Sequence, residues 1–112
     1  VGTPIIDGTN IFFVTDNGYF VIMNKDTGEI ISSNNILKIL KKRKRETKIA
    51  GYIMGSGKLY SVTINGYLII SSAVSGKVEY FKKIGDPIVS PPIINNGSLY
   101  ILTENSRILG FN

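Results

Sequence analysis

Short apolar runs separated by turn residues organise the chain. Ile11-Phe12-Phe13-Val14, Phe20-Val21-Ile22-Met23 and Tyr67-Leu68-Ile69-Ile70 contain no polar position. Runs this short, bounded by Gly, Asn and Asp, read as strands. Their lack of alternation predicts sheets covered on both faces rather than sheets with one wet face. The hairpin turns between them are marked by Asp16-Asn17-Gly18 and Asn65-Gly66, where a type I′ turn needs positive φ at its central positions.

The pattern repeats. The stretch 6–24, IDGTNIFFVTDNGYFVIMN, aligns without a gap on 54–72, MGSGKLYSVTINGYLIISS, and on 94–112, INNGSLYILTENSRILGFN. Thr15, Asn17, Gly18 and Tyr19 fall on Thr63, Asn65, Gly66 and Tyr67, and Thr27-Gly28 falls on Ser75-Gly76. Each unit reads as four short strands. The first are 4–6, 49–54 and 92–94, the second 11–15, 59–63 and 99–103, and the third 19–23, 67–71 and 108–111. A fourth follows only in the first two units, at 29–32 and 77–82. Four strands per unit with a period of roughly 40–48 residues is the pattern of a β-propeller. A β-sandwich also has many short strands, but its strands alternate. The expectation is an all-β chain of four-stranded antiparallel propeller blades, about two and a half of them, belonging to a larger ring. The boundaries are a blade at 1–33, a basic insert at 34–48, a blade at 49–84, and a last blade at 85–112 without its fourth strand. Propeller rings commonly close by borrowing a strand from the other end of the chain. A first residue that is Val, with no leader after it, points to a processed end or a cut in a longer chain.

Composition narrows the chemistry. Apolar residues make up 43%, enough for a folded core. The absence of Cys and His removes disulfides, thiolate sites, the commonest metal ligand and the commonest general base. No apolar stretch approaches the ~20 residues of a membrane span. The net charge of +5 is local: residues 38–48 hold seven basic residues and Glu46, or +6, leaving −1 elsewhere. Within that segment Ile36, Leu37, Ile39 and Leu40 recur at helical spacing after an Asn suited to capping, which allows one or two helical turns. Lys41, Lys42, Arg43, Lys44 and Arg45 are either a solvated inter-blade loop or a contact for nucleic acid, anionic lipid or an acidic partner. One short run with no interleaved aromatic disfavours nucleic acid. Asp7, Asp16 and Asp26 sit at turns that Asp favours, so they are read as turn residues rather than, with Glu29, a metal or acid pair. Gly55-Ser56-Gly57 joins two strands with no helix after it, so it is not a phosphate cradle.

The unit pattern, with Ser90-Pro91-Pro92 and Thr27-Gly28 as its clearest traces, resembles the quinoprotein-like (PQQ) propeller repeat. Enzymes of that kind bind pyrroloquinoline quinone and have docking tryptophans and often a vicinal Cys pair. This chain has neither Trp nor Cys, and Ser32 and Tyr80 stand where a docking Trp would follow the Ser/Thr-Gly step. The basic insert, the Gly85-Asp86 step and the Tyr100-Ile101-Leu102-Thr103-Glu104 strand are similar to the last blades of the BamB family of outer-membrane assembly lipoproteins. That resemblance implies a non-enzymatic scaffold at the periplasmic face of the outer membrane, with no cofactor, no metal and no catalytic residue. It also implies BamA and nascent outer-membrane proteins as partners, and a lipid anchor outside this segment as the only membrane link. The competing readings are a fragment of a PQQ-dependent dehydrogenase, or an unrelated propeller whose basic loop binds nucleic acid or anionic lipid.

Overall fold

The computed structural model describes residues 2–40, 47–105 and 108–111, excluding the Phe111 side chain. Among the described residues, eleven strands form three antiparallel sheets. The first is β1 (Ile5–Asp7), β2 (Asn10–Val14), β3 (Tyr19–Asn24) and β4 (Ile30–Asn35), paired in that order. The second is β5 (Ile49–Gly55), β6 (Lys58–Thr63), β7 (Tyr67–Ser72) and β8 (Val78–Lys83). The third has β9 (Ile93–Asn95), β10 (Ser98–Leu102) and β11 (Ile108–Phe111), with β11 at its edge. The expected blades are therefore present. Strand pairing starts one residue after Pro4 and Pro92, because proline has no N–H to give to a ladder.

The repeat extends to individual hydrogen bonds. Tyr19 N–H donates to Thr15 Oγ1 (3.0 Å) and Tyr67 N–H to Thr63 Oγ1 (3.0 Å), so each threonine ties its hairpin corner. At the opposite end of the sheets, Asn24 Oδ1 accepts from the N–H groups of Asp26 and Thr27, as Ser72 Oγ does from Val74 and Ser75. The pairing register shifts at the same place in both sheets, skipping Ile31 of β4 opposite Ile22–Met23 and Glu79 of β8 opposite Ile70–Ser71. Local side-chain bonds of this kind define where a strand stops.

Sheet stacking makes the core. Phe12, Val14, Phe20 and Ile22 of the first sheet join Tyr52, Leu59, Tyr67 and Ile69 of the second in one buried cluster. The other face of the second sheet puts Val62 and Leu68 against Leu99 and Ile101 of the third. The second sheet is thus buried on both faces, as its unbroken apolar runs require. Its first-sheet side also carries Ser61 and Ser71, both fully buried, whose hydroxyls meet no hydrogen-bond partner among the described residues.

The link between the first two sheets departs from expectation. β4 runs on through Asn35, so the segment between strands begins at 36 rather than 34. Asn34 and Asn35 are drawn into the strand by pairing with Phe20 and Tyr19. Asn35 Oδ1 then accepts from Leu37 N–H (3.0 Å) and caps a short 3-10 turn over 36–40. Ile36, Leu37 and Leu40 of that turn are buried in the first cluster, while Lys38 faces solvent. The turn is a plug between sheets, at about 1.5–3 kcal/mol per fully buried side chain. The second link starts alike: Ile36 N–H donates to Gly18 O (2.8 Å) and Ile84 N–H to Gly66 O (2.7 Å).

Two substitutions test this arrangement. Gly18 and Gly66 have φ of +93° and +91°, and a Cβ would meet Leu37 Cγ at 2.5 Å or the Asp86 carbonyl oxygen at 2.6 Å. Leu37 can shift, whereas the Asp86 backbone cannot move without the whole link. Gly66→Ala is expected to destabilise by about 2–4 kcal/mol and more than Gly18→Ala in urea unfolding. Gly28→Ala, with φ +75° but open space around it, is expected to cost about 1–2 kcal/mol. Conversely, Ser61→Ala and Ser71→Ala remove hydroxyls that lose hydration without gaining a partner. Each is expected to leave stability unchanged or raise it by about 1 kcal/mol, and a loss above that would show that the hydroxyl is bonded in solution.

Candidate functional site

Three places remain once the core is accounted for. The first is the end of the sheets that carries the hairpin corners. Thr47 Oγ1 donates to Asn65 Oδ1 (2.6 Å), which also accepts from Thr63 Oγ1 (2.6 Å). Ile49 N–H donates to Asp16 O (3.4 Å), and Ile64 N–H to Lys48 O (3.0 Å). The chain therefore re-enters the second sheet from the end occupied by the Thr15–Gly18 and Thr63–Gly66 corners, and Leu40 departs from the same end. Lys38 and Lys48 are exposed on either side of the insert. The five candidate contact residues, Lys41, Lys42, Arg43, Lys44 and Arg45, lie outside the described residues.

The second place is the sheet-to-sheet contact where quinoprotein-type blades are expected to dock a tryptophan. Ser32 does dock, by a polar route. Its hydroxyl donates to the Ser75 carbonyl of the second sheet (3.0 Å) and accepts from Asn34 Nδ2 (3.1 Å). Gly76 passes directly beneath, so close that a Cβ there would collide with Ser32 Oγ and Asn34 Nδ2. Sequence reasoning placed Ser32 at this position but did not identify its bond. The two partners are 43 residues apart and neither belongs to an apolar pattern. Tyr80, the counterpart of Ser32 in the second sheet, is 52% exposed.

The third place is a groove of 510 Å³ between the second and third sheets, lined by Tyr60, Leu68, Ile70, Tyr80, Ile94 and Leu99 among others. Lys58 and Glu79 form an ion pair at its margin. Asp7, Asp26 and Glu29 are exposed at or beside turns, and among the described residues no three His, Cys, Asp or Glu side chains gather as they would around a metal ion. Gly55 and Ser56 border the groove at a strand-to-strand turn. Among the described residues, no helix is long and apolar enough to cross a membrane.

Among the described residues, one ionisable group in the core is perturbed. Burial raises the Tyr52 phenol above its ordinary value, and its hydroxyl donates to the Thr3 carbonyl (3.1 Å). Gly2 lies against the same ring.

Four-stranded antiparallel sheets stacked face to face, each ending on a Ser/Thr-Gly step and a fourth strand, define the class: β-propeller blades of the PQQ-like repeat. The chain belongs to the family described as outer membrane protein assembly factor BamB, which matches residues 22–112. No curated protein sequence matches the chain. Among solved structures it is similar to BamB from Moraxella catarrhalis, with a TM-score of 0.75 and 15% identity over 96% of this chain and 30% of that one. It is also similar to the quinohemoprotein alcohol dehydrogenase ADHIIG from Pseudomonas putida HK5, at TM-score 0.79 and 15% identity, covering 99% of this chain and 18% of that one. The computationally designed Ika4 protein aligns at TM-score 0.73 and 7% identity, over 96% of this chain and 62% of that one. The chain spans less than two thirds of each.

The Tyr52 environment yields a pH test. A phenol whose folded pKa is raised stays protonated in the native state when the unfolded chain, near pH 10, has begun to ionise. Its contribution is therefore fully present below about pH 10 and is lost as pH rises through the folded value. Stability of the wild type is expected to fall more steeply above pH 10 than that of Tyr52→Phe. Identical alkaline slopes in denaturant titrations would contradict the burial.

Proposed function

We propose that this chain is part of a non-catalytic propeller scaffold that assists β-barrel assembly at the periplasmic face of the outer membrane. The observation that carries the reading is the family match over residues 22–112. The polar docking by Ser32 supports it, since the blade contact here needs neither the tryptophan nor the vicinal cysteines expected of quinone-binding relatives. On this reading BamA and nascent outer-membrane proteins are the partners, and the ring reaches the membrane through an anchor outside these residues. Lys38 and Lys48, exposed at the sheet end that holds the corners, and the run Lys41–Arg45 between them in sequence offer an acidic partner patch its complement. A dehydrogenase reading draws on the likeness to quinohemoprotein alcohol dehydrogenase, and one measurement separates the two.

The test uses the complete protein that contains this chain. It is expected to capture the periplasmic domains of BamA in a pull-down, to purify without stoichiometric pyrroloquinoline quinone, and to lack dye-linked dehydrogenase activity. Bound quinone with turnover would overturn the scaffold reading. If the basic run contributes, changing Lys41, Lys42, Arg43, Lys44 and Arg45 to Gln is expected to slow association and flatten its salt dependence. An unchanged association rate would reduce the run to a solvated loop.

A further inference from the structure

Asn-Gly occurs three times in the chain, at Asn17-Gly18, Asn65-Gly66 and Asn96-Gly97. By sequence the three are equivalent sites for attack of a glycine nitrogen on the preceding carboxamide, because glycine puts no side chain in the way. The structure separates them. Gly18 and Gly66 are buried corner residues held on both sides. Gly18 N–H donates to Thr15 O (2.9 Å) and its carbonyl accepts from Ile36, while Gly66 N–H donates to Thr63 O (3.1 Å) and its carbonyl accepts from Ile84. The carboxamides are held as well: Asn17 Oδ1 accepts from Thr15 Oγ1, and Asn65 Oδ1 accepts from the hydroxyls of Thr47 and Thr63. Asn96-Gly97 is the reverse. Pairing of Asn95 with Ser98 leaves these two residues as the whole turn between β9 and β10, with φ of +53° and +79°, the positive pair of a type I′ turn. Both are exposed, and a Cβ on Gly97 would meet nothing within 4 Å. Among the described residues, neither the Asn96 carboxamide nor the Gly97 N–H has a hydrogen-bond partner. Ser56-Gly57, the matching turn of the four-stranded second sheet, is exposed too, so the exposure belongs to the turn and does not depend on a fourth strand.

We propose that Asn96 is a site of spontaneous covalent modification, by cyclisation onto Gly97 and hydrolysis, in a fold that protects the other two Asn-Gly pairs. The Asn96–Gly97 peptide plane is free to rotate from the type I′ toward the type II′ arrangement, which turns the Gly97 nitrogen to Asn96 Cγ. A bond forms between Gly97 N and Asn96 Cγ, the Cγ–Nδ2 bond breaks, and ammonia leaves with the proton given up by the Gly97 N–H. Water then opens the cyclic imide at either carbonyl, leaving an aspartyl or an isoaspartyl residue at position 96. No oxidant, metal or enzyme takes part. Either product places a new carboxylate at the tip of the β9–β10 hairpin. The isoaspartyl form also adds a methylene to the main chain of a two-residue turn, which works against the Asn95–Ser98 pairing that sets the hairpin register. The same reaction at position 17 or 65 has first to break a buried backbone hydrogen bond, an added barrier that slows it by about tenfold or more.

The test incubates the complete protein that contains this chain in mildly alkaline buffer, with and without urea, and follows the three asparagines by peptide mass spectrometry. Trypsin separates them, since Lys25 and Lys77 lie between, and a zero-time sample corrects for reaction during digestion. In the folded protein, conversion at position 96 is expected to run at least about tenfold faster than at 17 or 65. In urea the three rates are expected to converge, because the dipeptide is the same and the fold no longer distinguishes them. Ser56→Asn puts a fourth Asn-Gly pair into the matching exposed turn, at a φ of +52° that asparagine tolerates, and is expected to react in the folded protein as fast as position 96. Equal rates at 17, 65 and 96 in the folded protein would overturn the proposal. So would a position 96 that reacts in urea but not in the native state, or a Ser56→Asn site as slow as the two corners.

Discussion

A sheet that is apolar on both faces needs a neighbour on each side, and the organisation of this chain follows from that constraint. Leu59 and Ile69 face the first sheet while Val62 and Leu68, on the same two strands, face the third. Strands of five to seven residues offer too little area on one face for stability in water, so burial has to come from stacking. Stacking in turn fixes what sits at the contacts. Buried apolar residues fill the middle, and the ends are closed by turns whose backbone groups are satisfied locally. The hydroxyls of Ser61 and Ser71 are the exception, buried at a contact whose other wall brings Phe12 and Phe20 into the same layer. Two buried hydroxyls without partners among the described residues are a net cost at that contact.

The elements that depend on residues within a few positions of one another were legible in the sequence. Thr15, Asn17 and Gly18 act within one corner, as do Thr63, Asn65 and Gly66, so the alignment of the two copies already contained the corner geometry. The strands between corners were legible because four consecutive apolar residues leave little alternative. What the sequence did not disclose depends on partners far along the chain. Ser33, Asn34 and Asn35 carry no apolar signal, yet they complete β4 because β3 presents its backbone to them. The same holds for Ile88, an isolated residue after Pro87 that is buried and bridges to Thr103.

The docking position shows the same division in a functional setting. Its location followed from the repeat, but its mechanism did not, because a serine that bonds a carbonyl 43 residues away leaves no periodicity. The basic run is the reverse case. Its charge is plain in the sequence, and the structure adds its anchor points, Leu40 and Thr47, at the end of the sheets that carries the corners.

Replacing an aromatic dock with a hydrogen bond has an energetic consequence that the link between the first two sheets resolves. A buried tryptophan brings a large apolar area to a contact, whereas a neutral hydrogen bond contributes about 0.5–1.5 kcal/mol net. Ser32 alone therefore holds two sheets together weakly. Ile36, Leu37 and Leu40 follow within eight residues and are buried in the same interface, each contributing about 1.5–3 kcal/mol of apolar burial. The apolar half of the insert thus takes over the adhesive role, and Ser32 with Gly76 is left to set alignment. In the second interface Ile84 and Ile88 contribute to the equivalent adhesion, while Tyr80 is half-exposed at the groove between the sheets. Adhesion is thus carried by apolar side chains at both contacts, and the first adds a polar alignment through Ser32 and Gly76.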